Sequence, residues 1–245
     1  MTKTSLPKLT CVTFTGADDN TDIDAMIALS KRYPQIEWGI LFSTKHQGTP
    51  RYPSMWWVDD ILDATTGTAV RLSAHLCGGF VRAFVAKPDT PSQMTTFHKM
   101  LATSFCRVQL NVTGILDHTD PSCYDVRCAI QRVAPMRVIT QFKAGNLTLT
   151  DYLINLQNHE ILFDESGGTG TLPHAWKPPF ATTRCGYAGG LSPDNIASHI
   201  GDIRTAARKA PDIWIDMETG VRTDDAFDLE KVTRVMAILT EMGAL

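Results

Sequence analysis

Phe163 to Gly170 reads Phe-Asp-Glu-Ser-Gly-Gly-Thr-Gly, and it follows a short apolar run that begins at Glu160-Ile161-Leu162. Asp164 and Glu165 therefore stand where a buried strand stops, ahead of Ser166 and a loop with too much glycine for helix or strand. An ionisable side chain at a strand end, followed by open backbone N–H groups, is a common way for α/β enzymes to build a site. A strand that merely stops at a flexible turn has the same spelling. Similar spellings recur downstream. Tyr187 runs into Gly189-Gly190, and Asp216 is followed by Glu218 and Thr219-Gly220. Backbone N–H groups at Gly189, Gly190, Thr219 and Gly220 could cradle an anion such as phosphate. They could equally be tight strand-to-helix turns.

Other residues able to do chemistry sit at similar junctions. Thr15 comes before Asp18 and Asp19, and Lys45, His46 and Arg51 follow the second apolar run. His75 and Cys77 end the third, Asn111 and Thr113 the fourth, and Gln141 and Lys143 the fifth. His75 titrates near neutrality without help, which suits a general base, although a satisfied core histidine would read the same way. Glu218 beside Asp216 suits an acid pair in which one carboxyl raises the pKa of the other.

These junctions need strands that all point one way. Strand patterns fall at Leu9 to Phe14, Ile36 to Phe42, Ala69 to Leu76, Arg107 to Val112, Arg137 to Phe142, Glu160 to Phe163, Arg184 to Tyr187 and Asp212 to Met217. Helical patterns fall at Ile23 to Tyr33, Met55 to Ala64, Gln93 to Phe105, Tyr124 to Val133, Leu149 to Leu156, Pro193 to Ala210 and Leu229 to Met242, with Thr21 or Asp22 and Ser192 as caps. Alternation of this kind predicts a parallel sheet, and eight strands close a (β/α)8 TIM barrel, here one domain over residues 1–245. Leu72, Ala74 and Leu76 alternate with Arg71, Ser73, His75 and Cys77, and Val108 and Leu110 with Arg107, Gln109 and Asn111. The apolar faces should meet the helices, so the barrel interior should be polar. The stretch Cys77 to Ser92, with Arg82 and Lys87, reads as a long loop that could serve as a lid.

Composition narrows the partners. The 245 residues carry a formal charge of −3, and lysine and arginine form no run, so nucleic acid and anionic membrane are poor partners. No stretch is apolar for the roughly 18 residues a membrane helix needs. The N-terminus has no signal-peptide core, and the six cysteines form no Cys-x-x-Cys pair, which fits reduced thiols in the cytoplasm. Trp56 and Trp57 suit outer-layer packing or a subunit contact, which leaves a homodimer open.

The motifs, taken in order, resemble phosphoribosylanthranilate isomerase over nearly the whole chain. They are Phe14-Thr15-Gly16, Gly48-Thr49-Pro50-Arg51-Tyr52, Val108-Gln109-Leu110-Asn111, Leu162-Phe163-Asp164 with Gly167-Gly168-Thr169-Gly170, Ala188-Gly189-Gly190-Leu191-Ser192-Pro193-Asp194-Asn195, and Asp216 to Val221. The resemblance implies ring opening of a ribosylamine and a proton shift, an Amadori rearrangement, with no metal and no cofactor. It places the general acid at Asp164, a substrate-carboxylate contact at Arg51, and a phosphate grip at Gly189, Gly190, Thr219 and Gly220. The chain departs from the family at four points. Thr15 holds the position of the cysteine base, and a threonine hydroxyl is too weakly acidic to replace it unaided. Asn111 replaces a histidine, Thr171 a lysine, and Glu218 a serine of the phosphate loop. The candidate catalytic residues are thus Asp164, His75 and Thr15, with Asp18, Asp19, Cys77 and Glu218 as further candidates for the base. The candidate substrate contacts are Arg51, Asn111 and Glu218. The expected activity is isomerisation of a small, anionic, phosphorylated sugar-derived substrate by acid-base catalysis. The alternatives are a diverged barrel enzyme for a non-phosphorylated substrate and a non-catalytic ligand-binding barrel.

Overall fold

A computed structural model describes residues 6–87, 95–112, 122–142, 146–166, 169–180 and 184–245. Eight parallel strands, β1 (Lys8–Thr15), β2 (Ile36–Ser43), β3 (Leu72–Cys77), β4 (Arg107–Asn111), β5 (Arg137–Phe142), β6 (His159–Phe163), β7 (Cys185–Ala188) and β8 (Asp212–Met217), pair in chain order and close when β1 meets β8. The chain is a (β/α)8 barrel. Its helices are α1 (Ile23–Arg32), α2 (Met55–Thr65), α3 (Gly79–Val85), α4 (Thr96–Ser104), α5 (Cys123–Arg132), α6 (Leu147–Leu153), α7 (Ile196–Ala206) and α8 (Leu229–Glu241). None of them is long and apolar enough to cross a membrane.

Local chemistry starts these helices where short polar side chains take up free N–H groups. Asp22 caps α1, Ser54 caps α2, Thr95 caps α4, Ser122 caps α5 in a reciprocal box with Asp125, and Asp228 caps α8. Ser192 does not cap α7. That helix begins at Ile196, and the Ser192 carbonyl accepts from the Ile196 N–H at 3.0 Å.

Two segments differ from the expected alternation. The stretch expected to be a lid loop contains α3, which buries Val81, Phe84 and Val85, so a free lid is excluded over that part; residues 88–92 lie outside the described ones. Between β6 and β7 no described residue is helical. Aromatic side chains cover the sheet there instead. Phe180 packs edge-on to Phe142 with ring centres 4.8 Å apart, Phe163 stacks on Tyr187 at 5.4 Å, and Trp176 meets Tyr187 at 6.0 Å.

Side-chain alternation sorts the strands as expected. Ala74, Leu76, Val108 and Leu110 lie fully buried in the layer shared with the helices. The interior is polar apart from Leu41 and a small cluster of Cys11, Ile139, Leu162, Ala188 and Trp214. At the N-terminal end of the strands, Arg107 donates to Glu160 Oε2 at 2.8 Å and to Glu37 Oε2 at 3.1 Å, with all three side chains buried. Arg71 pairs with Glu37 at 3.3 Å, and Arg137 with Glu160 at 2.8 Å. This network closes the floor of the barrel, which leaves the C-terminal end for ligands.

Candidate active site

A cavity of about 300 Å³ opens at the C-terminal ends of the strands. Thr15, His75, Asn111, Asp164, Gly189, Gly190, Glu218, Thr219 and Gly220 all line it. Setting aside the further candidates for the base Asp18, Asp19 and Cys77, which do not line it, nine of the ten candidate residues therefore meet in one place. The tenth, Arg51, stands outside the lining at its rim. Thr113, Lys143, Gly167 and Gly168 lie outside the described residues.

The acidic side is built by the register of β1 and β8, which sets Thr13 opposite Asp216 and Phe14 opposite Met217. Thr15 Oγ1 donates to Asp216 Oδ1 at 2.8 Å. Asp216 is buried, and that burial pushes its carboxyl up to about 8; the charges of Glu218, Asp164 and Glu37 push the same way, against the Thr15 bond. Asp164, also buried, accepts from Ser166 through both N–H (3.1 Å) and Oγ (2.6 Å), and a longer contact comes from Gln141 at 3.5 Å.

The inner wall is made by β3 and β4. His75 is 2 % exposed, and burial holds its imidazole down at about 4, with Glu37 opposing and Arg107 reinforcing. Its Nε2 and Gln109 Oε1 have no hydrogen-bond partner among the described residues. Gln109 Nε2 donates to Asn111 Oδ1 at 3.1 Å, and Asn111 Nδ2 to Cys77 Sγ at 3.0 Å. Burial pushes the Cys77 thiol up to about 11, so it stays protonated at neutral pH and does not supply a thiolate. Gly39 lies under this wall. A Cβ there would fall 2.2 Å from Thr15 Oγ1 and 3.0 Å from the His75 ring.

The rim holds the charges. Arg51 NH1 donates to Glu218 Oε1 at 3.1 Å and Arg51 Nε to Asp225 Oδ1 at 3.0 Å, while its backbone N–H, at a left-handed φ of 77°, donates to Asp18 Oδ2 at 3.0 Å. Glu218 answers the same residue that the family resemblance assigns to a substrate carboxylate. Its own carboxyl is raised by burial, with Arg51 pulling it back. Asp18 is also paired with buried Arg222 at 3.1 Å, and Asp19 accepts from the Ser54 N–H at 2.7 Å. Both acids are thereby committed to holding loops, which removes them as bases. Asp225 belongs to a hairpin that follows β8, formed by β9 (Arg222–Thr223) and β10 (Ala226–Phe227).

The glycines of the expected phosphate grip have a packing reason to be glycine. A Cβ on Gly190 would sit 2.5 Å from the Leu172 backbone nitrogen, and one on Gly220 2.0 Å from the Leu191 carbonyl oxygen. Among the described residues the cavity lining includes Asp164, Asp216 and Glu218 but neither lysine nor arginine.

Residues 125–237 match the family model of N-(5'phosphoribosyl)anthranilate (PRA) isomerase. The fold is similar to TrpF from Jonesia denitrificans, with a TM-score of 0.59 and 19% identity over 96% of this chain and 98% of that one. It is likewise similar to phosphoribosyl anthranilate isomerase from Thermus thermophilus, with a TM-score of 0.55 and 16% identity over 95% and 99% of the two chains. The chain is thus similar to that family over the matched segment, and its fold to those barrels over nearly its whole length. No curated protein matches the chain in sequence. The matched segment includes Asp164, Gly189, Gly190, Asp216, Glu218, Thr219 and Gly220. Thr15, Arg51, His75 and Asn111 fall outside it. Asp216 and Gln109 are the lining residues that motif and spacing undervalue. Their signal is present, since Asp216 ends a strand and Gln109 lies on a polar strand face. Burial and the missing partner, which make them chemically distinctive, arise only once the barrel closes.

Proposed function

We propose that this barrel is an isomerase that opens the ring of a small sugar-derived amine and shifts a proton between adjacent carbons. Asp164 delivers a proton to the ring oxygen, and Asp216 removes one from the carbon next to the anomeric centre. The observation that carries the reading is the Thr15–Asp216 bond. Threonine stands where the resembled family has its cysteine base, and it cannot act alone, but it holds a carboxyl whose pKa is pushed up to about 8. Such a carboxylate is a far stronger base than an ordinary one and operates near physiological pH. His75, held down at about 4, is neutral there but a much weaker proton acceptor. The family-model match supports the same class of reaction.

The test follows deuterium entering that carbon from D2O by proton NMR, with a panel of aldosylamines. Wild type should exchange and convert. Asp164→Asn should lose about 10²- to 10⁴-fold in turnover, the span general acid-base groups supply, and keep its melting temperature. Equal turnover in the variant would remove Asp164 from the mechanism.

A further inference from the structure

The charge of the site does not suit a phosphorylated ligand. Three carboxyls line the cavity, and no cationic side chain does so among the described residues. The cation at the rim, Arg51, already answers Glu218 and Asp225. Behind it Arg222 answers Asp18 and Asp225. Two guanidiniums thus face Asp18, Glu218 and Asp225 before Asp164 is counted. A dianion entering here meets net negative charge, whereas a cation gains from it.

Deeper in the cavity the chemistry changes. His75 Nε2 and Gln109 Oε1 belong to side chains that are each 2 % exposed, and neither atom has a partner among the described residues. Buried polar atoms of this kind are normally satisfied. Gln109 Oε1 can only accept, so it calls for an N–H or O–H donor, and a neutral imidazole nitrogen pairs with a hydroxyl in either tautomer. Glu218 Oε1 accepts from Arg51, and Oε2 has no bond to a described residue.

We infer that the site takes a small hydroxylated amine, with hydroxyls against His75 and Gln109 and the ammonium against Glu218, at the end where a phosphate would otherwise lie. The inference rests on the isomerase reading for the substrate's sugar-like part, but it concerns binding and not turnover.

Calorimetry with three probes of one chain length tests it: 1-amino-1-deoxyribitol, ribitol and ribose 5-phosphate. The amine should bind about tenfold more tightly than ribitol, with ribose 5-phosphate weakest. Glu218→Gln should erase the advantage of the amine, leave ribitol unchanged and, by releasing Arg51, strengthen ribose 5-phosphate. Gln109→Met should weaken the amine and ribitol alike. The inference is overturned if ribose 5-phosphate binds wild type most tightly, if the amine and ribitol bind equally or not at all, or if the preference for the amine survives Glu218→Gln. A win for ribose 5-phosphate would still leave the isomerase reading standing, since that falls only if wild type neither exchanges nor converts any aldosylamine.

Discussion

Thr15 donates its hydroxyl proton to Asp216 across the seam where β1 and β8 close the barrel, at 2.8 Å. The contact sets both the orientation and the basicity of the carboxyl, because the bond favours the ionised form while burial disfavours it. As a base, Asp216 must be ionised, so activity should rise with pH and level off above about 8. Thr15→Val removes the bond that lowers the pKa and should move the inflection upward. Asp216→Asn should abolish the rise along with the activity. A pH-rate profile for the three proteins checks this, and an inflection near 4 would hand the role to His75.

Gly39 is the hidden support of that pair. Its missing side chain leaves room for Thr15 Oγ1, which would lie 2.2 Å from an added Cβ. Gly39→Ala should push Thr15 off Asp216 and into the cavity. Overpacking in a tight core costs about 1–3 kcal/mol, so the variant should fold with reduced stability in urea. Its turnover should fall at least as far as that of Thr15→Val. Turnover equal to wild type would show that the geometry tolerates the shift.

Buried histidines give the fold a specific sensitivity to acid. His75 and His159 are both held near 4 by burial, against an ordinary 6.5, and His159 also shares a 2.8 Å hydrogen bond with Thr140. Below pH 6.5 the unfolded chain binds protons that the native state refuses, so stability falls as the pH drops from 6.5 to 4. Each histidine contributes on the order of 3 kcal/mol to that loss. Glu37 adds a later stage. Burial would raise its carboxyl, but Arg107 and Arg71 more than offset this and hold it at about 2, so its stabilising contribution is lost between about 4.5 and 2. Urea unfolding across this range should show a steep limb above pH 4, and His159→Gln should flatten it by about half.

Much of this architecture is legible in the order of the amino acids. Strand periodicity and strand-end glycines locate all eight strands, and alternation on β3 and β4 marks the interior as polar. Local signals fail where the fold substitutes one device for another. Trp176 and Phe180 act as a cover only because their loop folds back onto Tyr187 of β7 and Phe142 of β5, so nothing local marks the lack of a helix among the described residues between β6 and β7. Nine of the ten candidate residues fall at strand ends, and strand ends converge. The pairing of Glu218 with Arg51 is not legible, because it joins loops 167 residues apart. Seen alone, Glu218 looks like a damaged phosphate loop. Seen with Arg51, it is half of a new ion pair.

The floor of the barrel offers the last test. Arg107 is fully buried, bridges Glu37 and Glu160, and lies over the Trp214 ring at 4.5 Å. Burying these charges is costly, and removing one partner leaves the others uncompensated. Glu160 would keep two guanidiniums, Arg137 and Arg184, whereas Glu37 would keep one among the described residues, Arg71 at 3.3 Å, beside the neutral donors Thr13 and Cys106. Arg107→Met should therefore destabilise by about 3–5 kcal/mol, mostly through Glu37. The double variant Glu37→Met/Arg107→Met removes that orphaned charge and should recover much of the loss. Chemical denaturation of both proteins at pH 7 separates the two effects. A double variant no more stable than the single one would mean that the stacking of Arg107 on Trp214, and not the ion pair, holds the floor together.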